Sequence, residues 1–339
     1  MTWGFSMGLF IAVFAATCAA TKMVCGQLQR RAILDLPNNR SSHNVPTPRG
    51  GGLAVVMVLL AALMVIAGFE QMAKSQAAWL FSLTFILAAM SWVDDLRGLG
   101  PLFRFGAHVV SVGLALSFGL LDGPVFGAML SPVLDKIAAG LLWVWFINLF
   151  NFMDGIDGIA GVEALSIGGG ITLLAVFSGV GSDVGNVALV VAAGAGGFLV
   201  WNWHPAKIFL GDVGSVPLGF VLGWLLLSLS AAGYWLAALI LPLYFLVDAG
   251  LTLLRRLLRG EKIWQAHRQH FYQYAAQHGR SHGEVATAVA LCNSVLIVLA
   301  FVTPNGRISW TIIAALGVVT FLIFWMVRTP QNQSSGGPV

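Results

Sequence analysis

Five aspartates stand out in this chain: Asp94 and Asp95, Asp154 and Asp157, and Asp212. They form three short clusters, each where a long apolar stretch meets a glycine-containing turn. Two adjacent carboxylates such as Asp94 and Asp95 repel unless a cation or a proton relieves them. A divalent metal does this well, and magnesium prefers carboxylate and phosphate oxygens. The set points to chemistry on a diphosphate at a membrane surface. Taken alone, the pair reads equally as a solvated helix end.

The neighbouring residues extend that reading. Asn148 and Asn151 are one helical turn apart and share a face, which Asp154 continues. Two Asp-Gly steps, at Asp154 and Asp157, then turn the chain. Amides and carboxylates together can hydrogen-bond a base and a ribose. In the segment Asn202 to Ser215, Gly211 and Gly214 let backbone N–H groups approach an anion where the next span begins. Asp212 can ligate a cation there, although Ser215 as an ordinary N-cap also explains the pattern. Arg40, His43 and Arg49 lie in a Pro/Gly loop that holds phosphate or serves as a basic linker. The stretch 255–273 is basic and aromatic, and either closes over a diphosphate or rests on anionic headgroups. His108 and Glu163 are expected to be satisfied within helix packing. Asp248, at membrane depth, is a functional candidate, or serves helix packing or a nearby lysine or arginine.

The elements that position these residues are membrane helices. The 339 residues are 58% hydrophobic and 9% charged, against about 25% charged in soluble domains. Apolar runs of about 18 residues or more recur along the chain. They predict an all-α polytopic membrane protein with about eleven spans, roughly 3–25, 51–69, 77–93, 102–121, 133–150, 159–180, 186–203, 216–232, 234–254, 284–303 and 309–327. With the N-terminus outside (periplasmic), 15 of the 18 Lys and Arg fall on the inner face, and only Lys74, Lys136 and Arg307 outside. The C-terminus is then cytoplasmic. The net charge of +4 belongs to that inner face, where it suits anionic lipid, and does not signal nucleic acid. The expected organisation is one transmembrane domain, residues 1–339. Its active-site loops lie near 26–50, 94–104, 151–158, 204–215 and 255–283, followed by a disordered tail over 330–339. The glycines inside spans, such as Gly168 to Gly170 and Gly194 to Gly197, read as close helix packing. Cys18, Cys25 and Cys292 have no disulfide or metal spacing.

The ordered set of motifs resembles the polyprenyl-phosphate N-acetylhexosamine-1-phosphate transferases, glycosyltransferase family 4, related to phospho-N-acetylmuramoyl-pentapeptide transferase. The resemblance runs from about residue 37 to 283. It rests on Asp94-Asp95, on Asn148-x-x-Asn151-x-x-Asp154-Gly-x-Asp157-Gly158, and on Pro205-Ala-Lys207 through Gly211-Asp212-x-Gly214-Ser215. Ser41 to Gly52 looks most like bacterial enzymes that start O-antigen or related polysaccharides; Arg49 stands where the pentapeptide branch has methionine. Tyr272 and Gln273 depart from the family, standing where further histidines are expected.

The resemblance implies transfer of N-acetylhexosamine-1-phosphate from a UDP-N-acetylhexosamine to undecaprenyl phosphate, with UMP released. The active site would lie on the cytoplasmic face of a bacterial inner membrane. It implies Mg2+, with Mn2+ as the alternative, held by Asp95 and Asp212, and Asp94 activating the lipid phosphate. Asn148, Asn151, Asp154 and Asp157 would hold the nucleotide or order the site. His43, Arg49, Lys207, Arg268 and His270 would bind the phosphates. The sugar is unassigned among N-acetylglucosamine, N-acetylfucosamine and N-acetylquinovosamine, and a homodimer stays open. A transporter of lipid-linked sugars is the other reading, but it calls for internal repeats, and none is found in the sequence.

Overall fold

Apolar runs of this length must fold as helices, because in lipid each backbone N–H and C=O has to be satisfied within its own segment. The computed structural model describes residues 3–37, 45–262, 267–302 and 308–328. Its helices are α1 (Trp3–Arg30), α2 (Gly52–Gly68), α3 (Lys74–Arg97), α4 (Pro101–Ser117), α5 (Pro132–Phe152), α6 (Ile159–Ser178) and α7 (Ser182–Asn202). They continue with α8 (Asp212–Leu229), α9 (Trp235–Ile240), α10 (Leu243–Leu258), α11 (Phe271–Gln277), α12 (His282–Val302) and α13 (Ile308–Val327). Among the described residues the only sheet is a two-residue ribbon, β1 (Leu34–Asp35) antiparallel to β2 (Thr47–Pro48).

Eight helical stretches are long and apolar enough to cross a membrane, α8 and α9 counting as one. The chain is an all-α, multi-pass membrane protein. Three further expected spans fall on shorter helices, α2 and α4 with 17 residues each and α10 with 16. Expected tail residues 330–339 and His43 lie outside the described residues.

A helix that is apolar all round must be buried, and α7 and α8 are. In their most apolar windows 78% and 72% of residues are buried, against 28% in α1 and α13. α8 packs on α2, α3, α5, α6 and α7, and α7 also packs on α1. Small residues make these approaches possible: a Cβ on Gly168 would lie 2.7 Å from the Ala188 carbonyl of α7, and one on Gly197 2.5 Å from that of Phe14 in α1. Gly169, by contrast, faces open space. Buried indoles find partners on other segments. The Trp143 Nε1–H donates to the Phe220 carbonyl at 2.8 Å, and that of Trp224 to Leu120 at 2.8 Å.

Candidate functional site

Asp94 and Asp95 occupy the last turn of α3. Gly98, at φ 68°, ends that helix, and Pro101 opens α4. The tight reversal brings Arg104, one turn into α4, back onto Asp94 with Nη1 3.0 Å from Oδ2. The Leu99 N–H donates to the other Asp94 oxygen at 2.6 Å. Asp95 points the opposite way. Its carboxylate accepts the backbone N–H of Asp212 at 3.1 Å and of Val213 at 2.9 Å, the first two residues of α8. This corrects two expectations. The N-terminus of α8 is capped by Asp95 from α3, not by Ser215, and those two N–H groups are not free for an outside anion. Ser215 Oγ instead donates to Asn151 Oδ1 at 2.6 Å, joining α8 to α5.

Arg49 arrives through backbone bonds. The Phe209 N–H donates to the Pro48 carbonyl at 2.8 Å, the Gly51 N–H to that of Phe209 at 2.8 Å, and the Gly52 N–H to that of Leu210 at 2.8 Å. This lacing lays the loop before α2 along the loop before α8. Arg49 Nη2 then lies 2.9 Å from Asp95 Oδ1 and 2.8 Å from Asp212 Oδ1. Arg104 Nη1 also reaches Asp212 Oδ2 at 3.2 Å. Asp212 is thus the node of a network of three carboxylates and two guanidiniums, with one formal negative charge in excess. Arg104 was visible in the sequence only as one of the basic inner-face residues. Its carboxylate partners come from packing.

Beside this network opens a groove of about 1100 Å³ lined by α3, α4 and α5. Asp94, Arg104 and Asn151 stand at one end, Ser117 and Lys136 at the other. Residues 101 to 117 of α4 line it, about 24 Å at 1.5 Å per residue. Apolar side chains such as Val112, Leu116 and Val144 make up most of the wall. Asn148 and Asn151 share a face, as their spacing requires, and both border this groove. His108 also lines it. It was expected to be satisfied by packing, yet neither ring nitrogen has a hydrogen bond of normal geometry among the described residues.

Asp154 and Asp157 part company beyond α5. Asp154 is half-buried near the network. Burial pushes its pKa up to about 7; Arg49 opposes this, and the charges of Asp212, Asp95 and Asp157 add to it. Between its ordinary 3.8 and about 7 the folded protein therefore holds a proton that the unfolded chain has lost. Stability falls as pH rises through that window. In Asp154→Asn this fall becomes shallower, which thermal midpoints in metal-free detergent buffer from about pH 5 to 7.5 will show. Asp157 is turned away, toward His204 and His282, at 2.7 and 3.2 Å. Burial raises its pKa, but the hydrogen bonds from the two histidines and the Ala206 N–H outweigh that and leave it below the ordinary value.

The elements α3 to α8, which carry every member of this network except Arg49, coincide with a match to the family model described as Glycosyl transferase family 4, over residues 77–230. Residues 77–230 carry the sequence pattern of glycosyl transferase family 4. The family named by the motifs is therefore borne out. A Bacillus subtilis protein described as "Probable undecaprenyl-phosphate N-acetylglucosaminyl 1-phosphate transferase" is 29% identical over 311 residues, covering 86% of this chain and 82% of its own. The decaprenyl-phosphate N-acetylglucosaminephosphotransferase of Mycobacterium leprae is 28% identical over 323 residues, with 84% and 80% covered. The phospho-N-acetylmuramoyl-pentapeptide-transferase of Streptococcus suis is 28% identical over 240 residues, with 65% and 69% covered.

The family 4 match ends before α10, so the expected residues from α10 onward lie outside it. The stretch 255–283 is not simply a loop, since it contains the end of α10 and the short helix α11. Asp248 anchors that helix. Fully buried, it accepts the Phe271 and Tyr272 N–H groups at 3.1 and 3.3 Å, the Tyr244 hydroxyl at 3.0 Å, and lies 3.0 Å from His270 Nδ1. Backbone, hydroxyl and imidazole groups serve it, where a basic partner had been an alternative. His270 itself is buried and caps α11 together with Gln273. Tyr272 packs its ring against Gly155 and donates its hydroxyl to the Phe152 carbonyl at 3.3 Å, bracing the Asp154 turn. Lys207 places its ammonium over the Trp201 ring, 5.1 Å from the centroid. Arg268 lies two residues before the cap, and its carbonyl accepts the Gln277 amide at 3.2 Å.

Proposed function

We propose that this protein transfers N-acetylhexosamine-1-phosphate from a UDP-N-acetylhexosamine to undecaprenyl phosphate, releasing UMP. The lipid-diphosphate sugar formed would start O-antigen or a related envelope polysaccharide. One observation carries this reading: a charged network of Asp94, Asp95, Asp212, Arg49 and Arg104 stands at the end of a long apolar groove. Such a groove suits a polyprenyl chain, and the network suits the phosphate at its head. The relatives' names support the substrate classes. The excess of Lys and Arg on the loop side supports a cytoplasmic site in a bacterial inner membrane.

The donor set fits magnesium. Its side-chain acceptors are carboxylate oxygens, and the Arg49 guanidinium already stands as a cation between Asp95 and Asp212. Those two aspartates would hold the ion, which when bound neutralises charge on the diphosphate. Arg49 and Arg104 exchange carboxylate partners for phosphate oxygens. Asp94, fixed by the Leu99 N–H, orients the lipid phosphate. An oxygen of that phosphate attacks the sugar-bearing phosphorus, and the bond to UMP breaks. Holding the two reactants in line supplies about 7–11 kcal/mol of the barrier.

Gly113 tests the groove. It lines the wall, and a Cβ there meets nothing within 4 Å. Gly113→Phe therefore projects into the groove from a Cβ that is clear of other atoms. The KM for polyprenyl phosphate should rise about tenfold or more, because each methylene displaced forfeits about 0.8 kcal/mol. The KM for the UDP-sugar should not move. An unchanged lipid KM would remove the chain from this groove.

A further inference from the structure

A second polar cluster lies where three connections meet: the turn between α5 and α6, the loop before α8, and the start of α12. The transfer chemistry above does not use it. Asp157 Oδ2 is 2.7 Å from His204 Nδ1, and Oδ1 is 3.2 Å from His282 Nδ1. The candidate ligand atoms of the three residues all lie within 4.8 Å of one another. Among the described residues no other group of three His, Cys, Asp or Glu side chains converges so closely. Asp94, Asp95 and Asp212 do not, because Arg49 and Arg104 stand between them.

We propose that Asp157, His204 and His282 form a site for a transition metal of the zinc class, separate from the all-oxygen aspartate site. Two imidazoles and one carboxylate are donors that suit zinc and its neighbours, whereas magnesium prefers oxygen alone. Three protein ligands with a fourth position left to water is a common zinc arrangement. The distances are those of imidazole N–H to carboxylate hydrogen bonds, so the metal-free protein holds its ligands assembled. A neutral imidazole can carry its single proton on Nε2 instead, which frees the Nδ1 lone pair without a net proton loss. The His204 side chain is 38% exposed and opens a route from solvent, while Asp157 is buried and fixed by the Ala206 N–H at 3.1 Å. Bound metal would tie the turn carrying Asp154 to the loop leading into Asp212 and to α12. It would stiffen the frame of the reaction site and take no part in the transfer.

The test is a Co2+ titration of tag-free, metal-stripped protein in detergent, read by visible absorption. One Co2+ per chain should give the bands of a four-coordinate nitrogen–oxygen site, and Zn2+ should displace it. Asp212→Asn should keep the bands. His282→Gln and His204→Ala should each weaken binding by at least about tenfold. The exposed His204 makes its variant a safe second measurement if His282→Gln does not fold. Absence of bands in the unaltered protein, or bands that survive in a folded His204→Ala at unchanged affinity, would overturn the site.

Discussion

Asp212→Asn lowers the turnover of UMP release by about 10³-fold or more at saturating substrates, with the protein still folded. The size follows from what one carboxylate does here. It faces Arg49 at 2.8 Å and Arg104 at 3.2 Å with its two different oxygens. An amide presents a donor on one side, so one guanidinium loses its acceptor and meets an N–H group. The charge that would hold magnesium falls as well. Loss of one fixed electrostatic group at a reacting centre costs about 10²–10³, and removal of a charge-stabilising group in phosphoryl transfer reaches about 10³–10⁵. The fold survives because the cap of α8 is Asp95, acting on backbone N–H groups that the substitution leaves in place. Turnover within about tenfold of the unaltered enzyme, in protein that elutes as a single detergent-solubilised species, would remove Asp212 from the reaction.

Gly52→Ala abolishes the transfer by another route and also lowers the thermal midpoint. Gly52 is the first residue of α2 and crosses Gly214 of α8 backbone to backbone. A Cβ there would overlap the Gly214 Cα and nitrogen and stand 2.9 Å from the Leu210 carbonyl. None of these atoms is the end of a flexible side chain, so the helices must separate. Overpacking of buried sites costs about 1–3 kcal/mol and occasionally more, and this contact belongs at the upper end. Separation also breaks the lacing of the Arg49 loop to residues 209–210, which sets Arg49 against Asp95 and Asp212. Gly317→Ala, where a Cβ meets nothing within 4 Å, is the control and should stay within about 1 kcal/mol. A Gly52→Ala protein of normal midpoint and normal turnover would show that this crossing does not hold the site.

The helices were legible because a membrane span leaves little choice: apolar runs of this length can only be helices. The three aspartate clusters were legible because charge is so scarce in this chain that its placement has few neutral explanations. Pairing was harder to read. Arg49 sits in a loop and Arg104 in the first turn of α4, and only the lacing at 48–52 and the reversal at Gly98 show which acids they meet. Asp95 looked like a ligand alone, yet it also caps a helix 117 residues away. Asp154 and Asp157 share one motif but serve different clusters, because Gly155 and Gly158 turn the chain between them. His204 and His282 carried no metal-like spacing, since their meeting depends on three separate connections. In the stretch 255–283 the short helix α11 was hidden by its polar composition. The anchor of that helix, Asp248, is buried inside the preceding helix.

The central claim is that the charged network and the adjoining groove transfer a sugar phosphate to a lipid phosphate. Its most direct test is UMP release by purified protein in detergent, given polyprenyl phosphate, a panel of UDP-N-acetylhexosamines, and magnesium with a chelator control. The account predicts release that needs the lipid, the metal and a particular sugar, and that vanishes in Asp212→Asn. Folded protein that binds the lipid-linked sugar but releases no UMP with any member of the panel would contradict it and favour a carrier of such lipids.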